Sequence, residues 1–416
     1  MRIPNDIYKK VPSVDIYDSW ELVTRHMPIE QPPATASYII FKKGTKIYAK
    51  NGLTGHIEYE DTDASTVIQA AINAIANKQG KIFIKNGTYY ITKTLDFSNV
   101  SNYTVFEGES MGGTMLKLAD GANTDIIKNS PSESRYFFTI RNLRIFGNRN
   151  NNTTGRGIVL GDYAYDVIME NVYIEETPRA CLYTTEFWGY RISKCIFERS
   201  NETDYAVRIG GHSGAFIHCR FGNHPNAKAN LLVEAKYTDI IACEFETGGE
   251  IGLWITMPYV HVIGGYTRNN GQKAANTYPG MRIGVQGNAV IMGHTFDGSN
   301  QEKYGLEIVS NSPNNIVIGN QFFDHATAPI SDSGTDTIIK YNRGYTTENS
   351  GTATIASGST SVTVAHGLAN TPSKVIVTPR GNVGAVWVSS RDTTNITIEC
   401  ETAPSADTLV DWYAEL

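Results

Sequence analysis

Three segments of the sequence share one pattern of apolar residues. They read RISKCIFERS over residues 191–200, AFIHCRFGNH over residues 215–224 and DIIACEFETG over residues 239–248. Each has an apolar residue, a cysteine three positions later and a phenylalanine two positions after that, so Cys195, Cys219 and Cys243 are 24 residues apart. A repeat of this length is typical of solenoid proteins, in which each repeat forms one coil that packs on the next.

The same pattern continues on both sides of these segments. Its central positions are Leu143, Val172, Cys195, Cys219, Cys243, Gly265, His294, Asn320 and Asn342, with a mean spacing of (342 − 143)/8, about 25 residues. A second pattern lies between them, in which a small residue precedes an apolar–any–apolar triplet, as in Gly252–Ile255. Short alternating segments are half-buried strands, and two or three per repeat predict a parallel β-solenoid with coils about 4.8 Å apart.

The cysteines fit the interior of this solenoid better than any chemical role. The chain has five cysteines, an odd number that argues against a disulfide framework, and the repeated ones lack the C-x-x-C spacing and nearby histidines of metal sites. We therefore expect the sulfur atoms of Cys195, Cys219 and Cys243 to form one buried file.

The segment before the repeats predicts a cover for the open end of the solenoid. Residues 63–75 have a helical pattern, with Asp61 or Asp63 as N-cap and Gly80 as the stop. Residues 81–91 predict two strands joined by a tight turn, and residues 38–60 predict a β-hairpin. Such covers protect strand edges from aggregation.

The chain divides into four parts on this interpretation. Residues 1–36 form an N-terminal arm without clear periodicity, residues 37–100 the hairpin and capping helix, and residues 101–347 the parallel β-helix. Short alternating segments separated by turn residues predict a small antiparallel β-sandwich over residues 350–416. The sandwich either caps the last coil, serves in oligomerisation, or does both.

The order of these elements carries a family resemblance. The helix DASTVIQAAINAIA (63–76), the strands GKIFIKNGTYYI (80–91) and the segment VFEGES (105–110) resemble the N-terminal part of the pectate-lyase-like superfamily, over roughly residues 60–345. The superfamily includes polygalacturonases, polysaccharide lyases and viral tailspike depolymerases, and the organisation is most similar to the tailspikes. The resemblance implies an all-β, right-handed parallel β-helix with a carbohydrate groove along its side. The C-terminal segment is similar to β domains of viral tail proteins, which implies a homotrimer.

The outward residues of the repeats give the first candidate site. Because strand side chains alternate, Glu244 and Glu246 point the same way, with Cα atoms about 6.5–7 Å apart. The residues predicted around them are His218, Arg220, Tyr266, Arg268 and Asp297. The acids Glu244, Glu246 and Asp297 could serve as an inverting glycosidase pair and its support. Alternatively, Arg220 or Arg268 would neutralise a uronate while Tyr266 or His218 exchanges a proton in β-elimination. The structural alternative is a surface charge ladder, Arg220–Glu244 and Glu246–Arg268–Asp297.

A second outward column accompanies the first. It consists of Val159, Tyr183, Arg208, Val233, Trp254, Arg282 and Glu307. Tyr183 and Trp254, with Trp188 and Tyr190 nearby, could stack on sugar rings, whereas Arg208 and Arg282 could hold anionic groups. The alternative is packing beneath a loop. The insertion over residues 269–279 would border the Glu246–Arg268 patch.

Composition narrows the partners. The net charge of −6 disfavours nucleic acid, and no apolar run of about 18 residues predicts membrane insertion. No Sec-type signal is visible at the N-terminus, so an extracellular or virion-associated location requires another route, such as cell lysis, or a signal that has been removed; the alternative is that the protein stays inside the cell. We expect no cofactor or metal, with calcium as the alternative; calcium is disfavoured because calcium-dependent pectate lyases carry an aspartate cluster that is not evident here. Two functions remain: a polysaccharide depolymerase, by hydrolysis or β-elimination, and a non-catalytic glycan-binding spike, adhesin or structural virion protein.

Overall fold

The structure, a computed structural model, describes residues 35–416, so the predicted arm lies outside the described residues except for its last two positions. The described chain begins with three antiparallel strands, β1 (Tyr38–Lys43), β2 (Lys46–Asn51) and β3 (Ile57–Asp61). The predicted hairpin is therefore confirmed, with a third strand added. Strand β1 also pairs in parallel with the first solenoid strand and so joins the two parts.

The capping helix α1 spans Ala64–Ala74. It begins after Asp63, whose side chain accepts a hydrogen bond from the Ser65 backbone N–H at 2.9 Å, so Asp63 is the N-cap. The helix ends at Ile75, five residues before the predicted stop at Gly80. Its buried face, which includes Ile68 and Ile72, belongs to the same apolar core as the solenoid, as expected of an end cap.

The strands that follow are short and numerous. They are β4 (Lys81–Ile84), β5 (Gly87–Ile91), β6 (Leu95–Asp96), β7 (Val105–Gly108), β8 (Thr114–Leu118), β9 (Ile127–Asn129), β10 (Arg135–Tyr136), β11 (Thr139–Phe146), β12 (Ile158–Leu160), β13 (Ala164–Tyr165), β14 (Val167–Glu175), β15 (Leu182–Ser193), β16 (Ile196–Glu198), β17 (Tyr205–Ile217), β18 (Arg220–His224), β19 (Ala229–Ile241), β20 (Glu244–Gly248), β21 (Ile251–Ile255), β22 (Val260–Ile263), β23 (Tyr266–Arg268), β24 (Met281–Ile283), β25 (Val290–Met292), β26 (Thr295–Asp297), β27 (Tyr304–Ile308), β28 (Ile316–Ile318), β29 (Gln321–Phe323), β30 (Ala328–Asp332) and β31 (Ile338–Lys340). Each pairs in parallel with a strand of a neighbouring coil, and β10 and β13 form a small parallel sheet of their own. The result is a parallel β-solenoid of about eleven turns, which confirms the predicted fold.

Each coil contributes to three parallel faces, which we call the first, second and third sheets in the order the chain meets them. In the first coil these positions are held by β4, β5 and β6, which pair with β7, β8 and β9. The two strands predicted over residues 81–91, β4 and β5, therefore each pair with a strand of the next coil. In the middle of the solenoid, β15, β17 and β19 are 12 or 13 residues long, because each runs from the third sheet across a corner into the first sheet.

The predicted cysteine file is present. Cys195, Cys219 and Cys243 are buried and unoxidised, and the Cys219 backbone N–H donates to the Cys243 Sγ at 3.4 Å. The neighbouring file is aromatic: the rings of Phe197, Phe221 and Phe245 stack with centroids 5.1 Å apart at both steps. Identical side chains repeat because each coil offers the same interior position to the next.

The C-terminal part forms a separate sandwich, as predicted. Its strands are β32 (Glu348–Ile355), β33 (Ser361–Ala365), β34 (Lys374–Pro379), β35 (Val386–Arg391), β36 (Asn395–Cys400) and β37 (Thr408–Glu415). They form two antiparallel sheets, β32–β37–β34 and β33–β36–β35, which enclose a core that includes Ile355, Ile398 and Val410. Among residues 35–416, no helix is long and apolar enough to span a membrane.

Candidate functional site

The second sheet has the outward register that the sequence predicts. Arg220 pairs with Glu244, which pairs with Tyr266, and in the parallel column Glu246 pairs with Arg268, which pairs with Asp297. The period of about 25 residues therefore places the predicted members of this patch on one face, except for His218, which lies at the corner before the sheet.

The ion pairs within the patch differ from the predicted ladder. Arg220 lies beside Glu244 in the sheet, but its Nη2 atom is 2.5 Å from Glu246 Oε1 and 3.2 Å from Glu198 Oε1. It reaches both carboxylates because Gly222 stands between Glu198 and Glu246 in their column and leaves room for the guanidinium. The expected Arg220–Glu244 pair is thus wrong, and the arginine bridges two coils diagonally.

Glu246 is held on both sides. Its side chain is only 9% exposed, and its second oxygen, Oε2, is 3.6 Å from Arg268 Nη2. A carboxylate with a guanidinium group near each oxygen has a structural role, since removing either partner would leave a buried charge. This arrangement favours the charge-ladder interpretation for Glu246.

The ladder continues to earlier coils. Glu175 is fully buried and forms ion pairs with Arg144 and Arg199, and Arg199 Nη1 is also 2.9 Å from Glu198 Oε2. The Tyr173 Oη atom lies 2.8 Å from Glu175 Oε2 and 3.0 Å from Glu198 Oε2. Burial and the nearby Glu198 raise the pKa of Tyr173 to about 12, so the phenol remains a donor to these carboxylates.

The remaining members of the predicted patch are less constrained. Tyr266 donates its hydroxyl to Glu244 Oε2 at 3.0 Å, and burial together with this bond raises the pKa of Tyr266 to about 12. Asp297 accepts the Ser299 backbone N–H at 3.1 Å, and among residues 35–416 it forms no ion pair with Arg268, which is a second difference from the expected ladder. His218 lies exposed at the corner before this sheet.

The third sheet contains the second predicted column with one correction. The observed register is Tyr183, Arg208, Leu232, Trp254, Arg282 and Glu307. Val233 instead pairs with Ile209 and Ile255 inside the core, so its predicted outward position is wrong. The physical reason is that residues 231–233 are three consecutive apolar residues, so alternation does not fix which of them points outward.

The aromatic rings of this column are partly covered by arginines. The Arg282 guanidinium carbon lies 5.3 Å from the centre of the Trp254 ring, and Arg156 and Arg208 lie 4.2 and 5.1 Å from that of Tyr183. Tyr190 is 5% exposed and its hydroxyl is bonded to Thr238. Of the rings proposed for sugar stacking, Trp188 has the largest exposed fraction, 48%.

An open cleft lies beside this column, which we call the acid groove. Its volume is about 720 Å³, within the range of ligand sites, and it runs across the three long strands. The lining residues are Asp162, Tyr183, Thr185, Glu186, Arg208, Gly210, Gly211, His212, Glu234, Lys236 and Met257. Tyr183 and Arg208 were predicted from the sequence to bind substrate, and the three carboxylates were not.

Two carboxylates of the acid groove flank a glycine. Glu186 pairs with Gly210, and Gly210 pairs with Glu234, so two coil steps place the glutamate Cα atoms about 9.6 Å apart. A bulge in β15 between Tyr183 and Glu186 redirects the strand here. Gly210 is required because an added Cβ would lie 2.6 Å from the carbonyl oxygen of Thr185 in this bulge.

The two glutamates have different surroundings. Glu234 Oε2 is 2.5 Å from Arg208 Nε, and Arg208 Nη1 donates to the Tyr183 hydroxyl oxygen at 2.6 Å. Glu186 is exposed, and among residues 35–416 its carboxylate has no ion pair. Asp162 accepts the Thr185 hydroxyl at 2.6 Å and the Glu186 backbone N–H at 3.2 Å, which fixes the bulge. One acid thus forms an ion pair with a guanidinium group while the other faces solvent.

The sequence contained a signal for this pair. Residues 186, 210 and 234 are spaced by 24, the same interval as the cysteines, and each lies nine positions before one of them. The predicted outward column contains Tyr183 and Arg208, whereas Glu186, Gly210 and Glu234 occupy the next outward position of the same strands. For metal binding, residues 35–416 contain no group of three or more His, Cys, Asp or Glu side chains that could hold an ion.

Comparison with known proteins supports the fold. No protein-family model and no curated protein matches the sequence. Among solved structures, ORF18 of Geobacillus virus E2 is 14% identical, with a TM-score of 0.53 over 86% of this chain and 83% of that chain. The A-module of the mannuronan C-5 epimerase AlgE6 of Azotobacter vinelandii is 17% identical, with a TM-score of 0.46 over 68% of this chain and 95% of that chain. The tailspike protein gp49 of Acinetobacter baumannii bacteriophage Fri1, a capsular polysaccharide depolymerase, is 12% identical, with a TM-score of 0.46 over 85% of this chain and 82% of that chain. The chain has a parallel β-helix fold, and at these identities the likeness to ORF18 concerns the fold alone.

Proposed function

We propose that the protein binds a polysaccharide along the side of its solenoid and hydrolyses it in the acid groove. The observation that carries this proposal is the pair Glu186 and Glu234 on either side of Gly210. Inverting glycosidases hold their two carboxyl groups roughly 6.5–9.5 Å apart, so that a water molecule fits beside the sugar. Two flexible side chains on Cα atoms about 9.6 Å apart can reach that separation.

The surroundings of the two acids suggest their roles. Glu234 forms an ion pair with Arg208 beside the cleft, and we assign it the role of the general base that takes a proton from water as the water attacks the anomeric carbon. Glu186 is then the general acid that donates a proton to the leaving glycosidic oxygen, a role in which burial beneath the bound polysaccharide would keep it protonated. The products are a new reducing end and a shortened chain.

The patch around Glu244 remains a second candidate for the same chemistry. Glu244 and Tyr266 are hydrogen-bonded and half-buried, so they could exchange a proton with a substrate. The two arginines on Glu246 weigh against its taking part. Asp297 lies in the neighbouring column, so it could act together with Glu244 only if both side chains contacted the substrate. For these reasons we favour the acid groove over the predicted patch.

The test is polysaccharide cleavage by matched glutamine variants. Neutral and acidic polysaccharides are incubated with the protein, and new reducing ends and the ultraviolet absorbance of unsaturated uronates are recorded. Glu186→Gln and Glu234→Gln should each reduce the release of reducing ends by about 10²–10⁴-fold. Glu244→Gln is the matched control and should retain activity. Loss of activity only in Glu244→Gln would move the site to the second sheet, and uronate absorbance would indicate elimination. Binding without cleavage would favour the spike or adhesin alternative.

We further propose that the protein acts as a homotrimer on a virion or in the extracellular space. The support is an outward apolar column on the first sheet: Ile217, Ile241, Ile263, Met292 and Ile318. Ile263 and Met292 are 36% and 43% exposed. Around a threefold axis each residue contacts the same residue of the other two chains. An apolar column parallel to the axis therefore favours association, whereas a column of like charges would cause repulsion.

Sedimentation measures this association directly. Ile263→Asp would place three carboxylates together at the axis and should shift the mass from three chains to one. Val285→Asp, at a 59% exposed apolar position elsewhere on the surface, is the matched control and should remain associated. A wild-type protein that sediments as one chain would refute the trimer.

A further inference from the structure

The corner between the third and first sheets is built from residues in the left-handed backbone region. In successive coils this corner column consists of Tyr103, Phe137, Asp166, Gly189, Ser213, Tyr237, Tyr259, Asn288, Asn314 and Asp336, with φ between 52° and 68°. Glycine, asparagine and aspartate tolerate this conformation, whereas it costs other residues roughly 1–2 kcal/mol. The backbone conformation therefore does not explain why four aromatic residues occupy this column.

These four residues form two stacked pairs. The rings of Tyr103 and Phe137 have centroids 4.8 Å apart and planes inclined by 12°, and those of Tyr237 and Tyr259 are 5.0 Å apart and inclined by 5°. Between 37% and 58% of each residue is exposed. Both pairs thus present flat apolar surfaces to solvent.

A trough separates the two pairs. The three intervening members of the column, Asp166, Gly189 and Ser213, are small, and Phe137 and Tyr237 are four coil steps apart, about 19 Å. The cavity there has a volume of about 460 Å³ and is lined at its two ends by Phe137 and Tyr237. We call it the corner trough.

The floor of the corner trough depends on two glycines. An added Cβ at Gly214 would lie 2.3 Å from the Tyr190 ring, which fills the position under the glycine. An added Cβ at Gly189 would lie 2.4 Å from Asp166 Oδ1, so this carboxylate extends over the glycine into the trough. Side chains at either position would close the space.

Polar groups in the corner trough are available to a ligand. Within residues 35–416, the Asp166 carboxylate accepts no hydrogen bond and forms no ion pair. The exposed Arg191 also forms no ion pair with any of these residues. Flat apolar walls with a few polar groups between them suit a sugar, whose C–H face packs on an aromatic ring while its hydroxyls bind carboxylate and guanidinium groups.

We propose that the corner trough is a second carbohydrate-binding site, in which an oligosaccharide segment lies along the solenoid axis between the two aromatic pairs. It shares the strands β15, β17 and β19 with the acid groove, and the contacting rings of Trp188 and His212, 3.8 Å apart, lie between the two clefts. A polymer held in the corner trough is thereby kept close to the carboxylates. The site requires binding only, so it does not depend on cleavage in the acid groove.

The test is binding of defined polymers by variants that keep the backbone conformation. Asparagine already occupies the corner column at Asn288 and Asn314, so Tyr237→Asn and Phe137→Asn should fold. Titration calorimetry with dextran, alginate and hyaluronan measures binding to the full chain. We expect each variant to bind the preferred polymer about tenfold more weakly, the typical effect of losing one aromatic anchor. Ser213→Trp, which fills the corner trough, should abolish the same binding.

The matched control is Tyr341→Asn. Tyr341 also has a positive φ, 57°, and is 69% exposed, but it lies at the far end of the solenoid and should not affect binding. Equal affinities for the wild type and all variants, or no binding of any polymer, would overturn the proposal. So would a change in sedimentation of Tyr237→Asn, which would mark the corner as a contact between copies. Tyr237-dependent binding without new reducing ends would support the corner trough and refute hydrolysis.

Discussion

Glu302 should make the stability of the solenoid depend on pH in an unusual direction. This carboxyl lies in the core, where Oε1 accepts two hydrogen bonds from the backbone and side chain of Asn270, both at 2.9 Å. Among residues 35–416, Oε2 has no hydrogen-bond partner. Burial raises the pKa of Glu302 from 4.5 to about 8.

The sign and size of the effect follow from proton linkage. Below pH 4.5 the carboxyl is protonated in both folded and unfolded chains. Between pH 4.5 and 8 the folded protein keeps a proton that the unfolded chain releases, so the free energy of unfolding falls as the pH rises. With 1.36 kcal/mol per pKa unit, the loss approaches about 5 kcal/mol above pH 8 and is about 3 kcal/mol at pH 7.

Glu302→Gln removes this dependence. The glutamine Oε1 can accept the same two bonds from Asn270, and the side chain stays neutral at every pH. The variant should match the wild type near pH 4.5 and exceed it increasingly up to pH 8. Urea unfolding followed by circular dichroism at a series of pH values gives the difference. Glu133→Gln, whose side chain is 76% exposed in the wild type, is the control and should give a pH-independent difference. A Glu302→Gln advantage of equal size at pH 5 and pH 9 would refute the reasoning.

Other substitutions test the core, the buried histidines and the charge ladder. Phe221→Ala removes the middle ring of the buried stack and should lower the free energy of unfolding by about 3–5 kcal/mol, against a small loss for the half-exposed Phe323→Ala; equal losses in urea unfolding would contradict the stacked core. Burial lowers the pKa of His294 from 6.5 to about 4, so the wild type should lose stability as the pH falls from 6.5 to 4, and His294→Gln should flatten this slope; an unchanged slope would argue against a buried neutral imidazole. Glu198→Gln leaves Arg199 and Arg220 short of a buried anion and should cost about 3–5 kcal/mol, whereas the exposed Glu170→Gln should cost less than 1 kcal/mol; a similar cost for both in thermal unfolding would mean that the ladder does not stabilise the coils.

The features of the structure that depend on the repeat period could be predicted from the sequence. Stacking one coil on the next fixed the register of Glu244, Tyr266 and Arg268, and the buried file of Cys195 and Cys219 followed from the same interval. The helix cap at Asp63 followed from a local side-chain-to-backbone bond. These features are set by nearest neighbours along the chain or between adjacent coils.

Features that depend on side-chain reach were not predictable in this way. Arg220 passes over Gly222 to carboxylates in two coils, and no spacing rule shows which partner a long side chain selects. Val233 was misplaced because its strand is apolar on both faces. The 24-residue interval does connect Glu186, Gly210 and Glu234, but a bulge beside Glu186 changes the outward position there, so alternation along the strand does not indicate which residue faces the acid groove. Aromatic residues with left-handed backbone at the corner have no sequence signature, since this conformation is ordinarily met by glycine or asparagine.

The nearly constant length of the coils has a consequence for the evolution of this chain. Because a coil packs mainly on the coil before it and the coil after it, duplicating or deleting one changes the length of the rod with little disturbance to the rest. Recombination between relatives at coil boundaries could therefore exchange the middle segment with β15, β17 and β19 while keeping α1 at one end and the sandwich at the other. On the proposed function, transplanting three coils would then transfer recognition of a different polysaccharide.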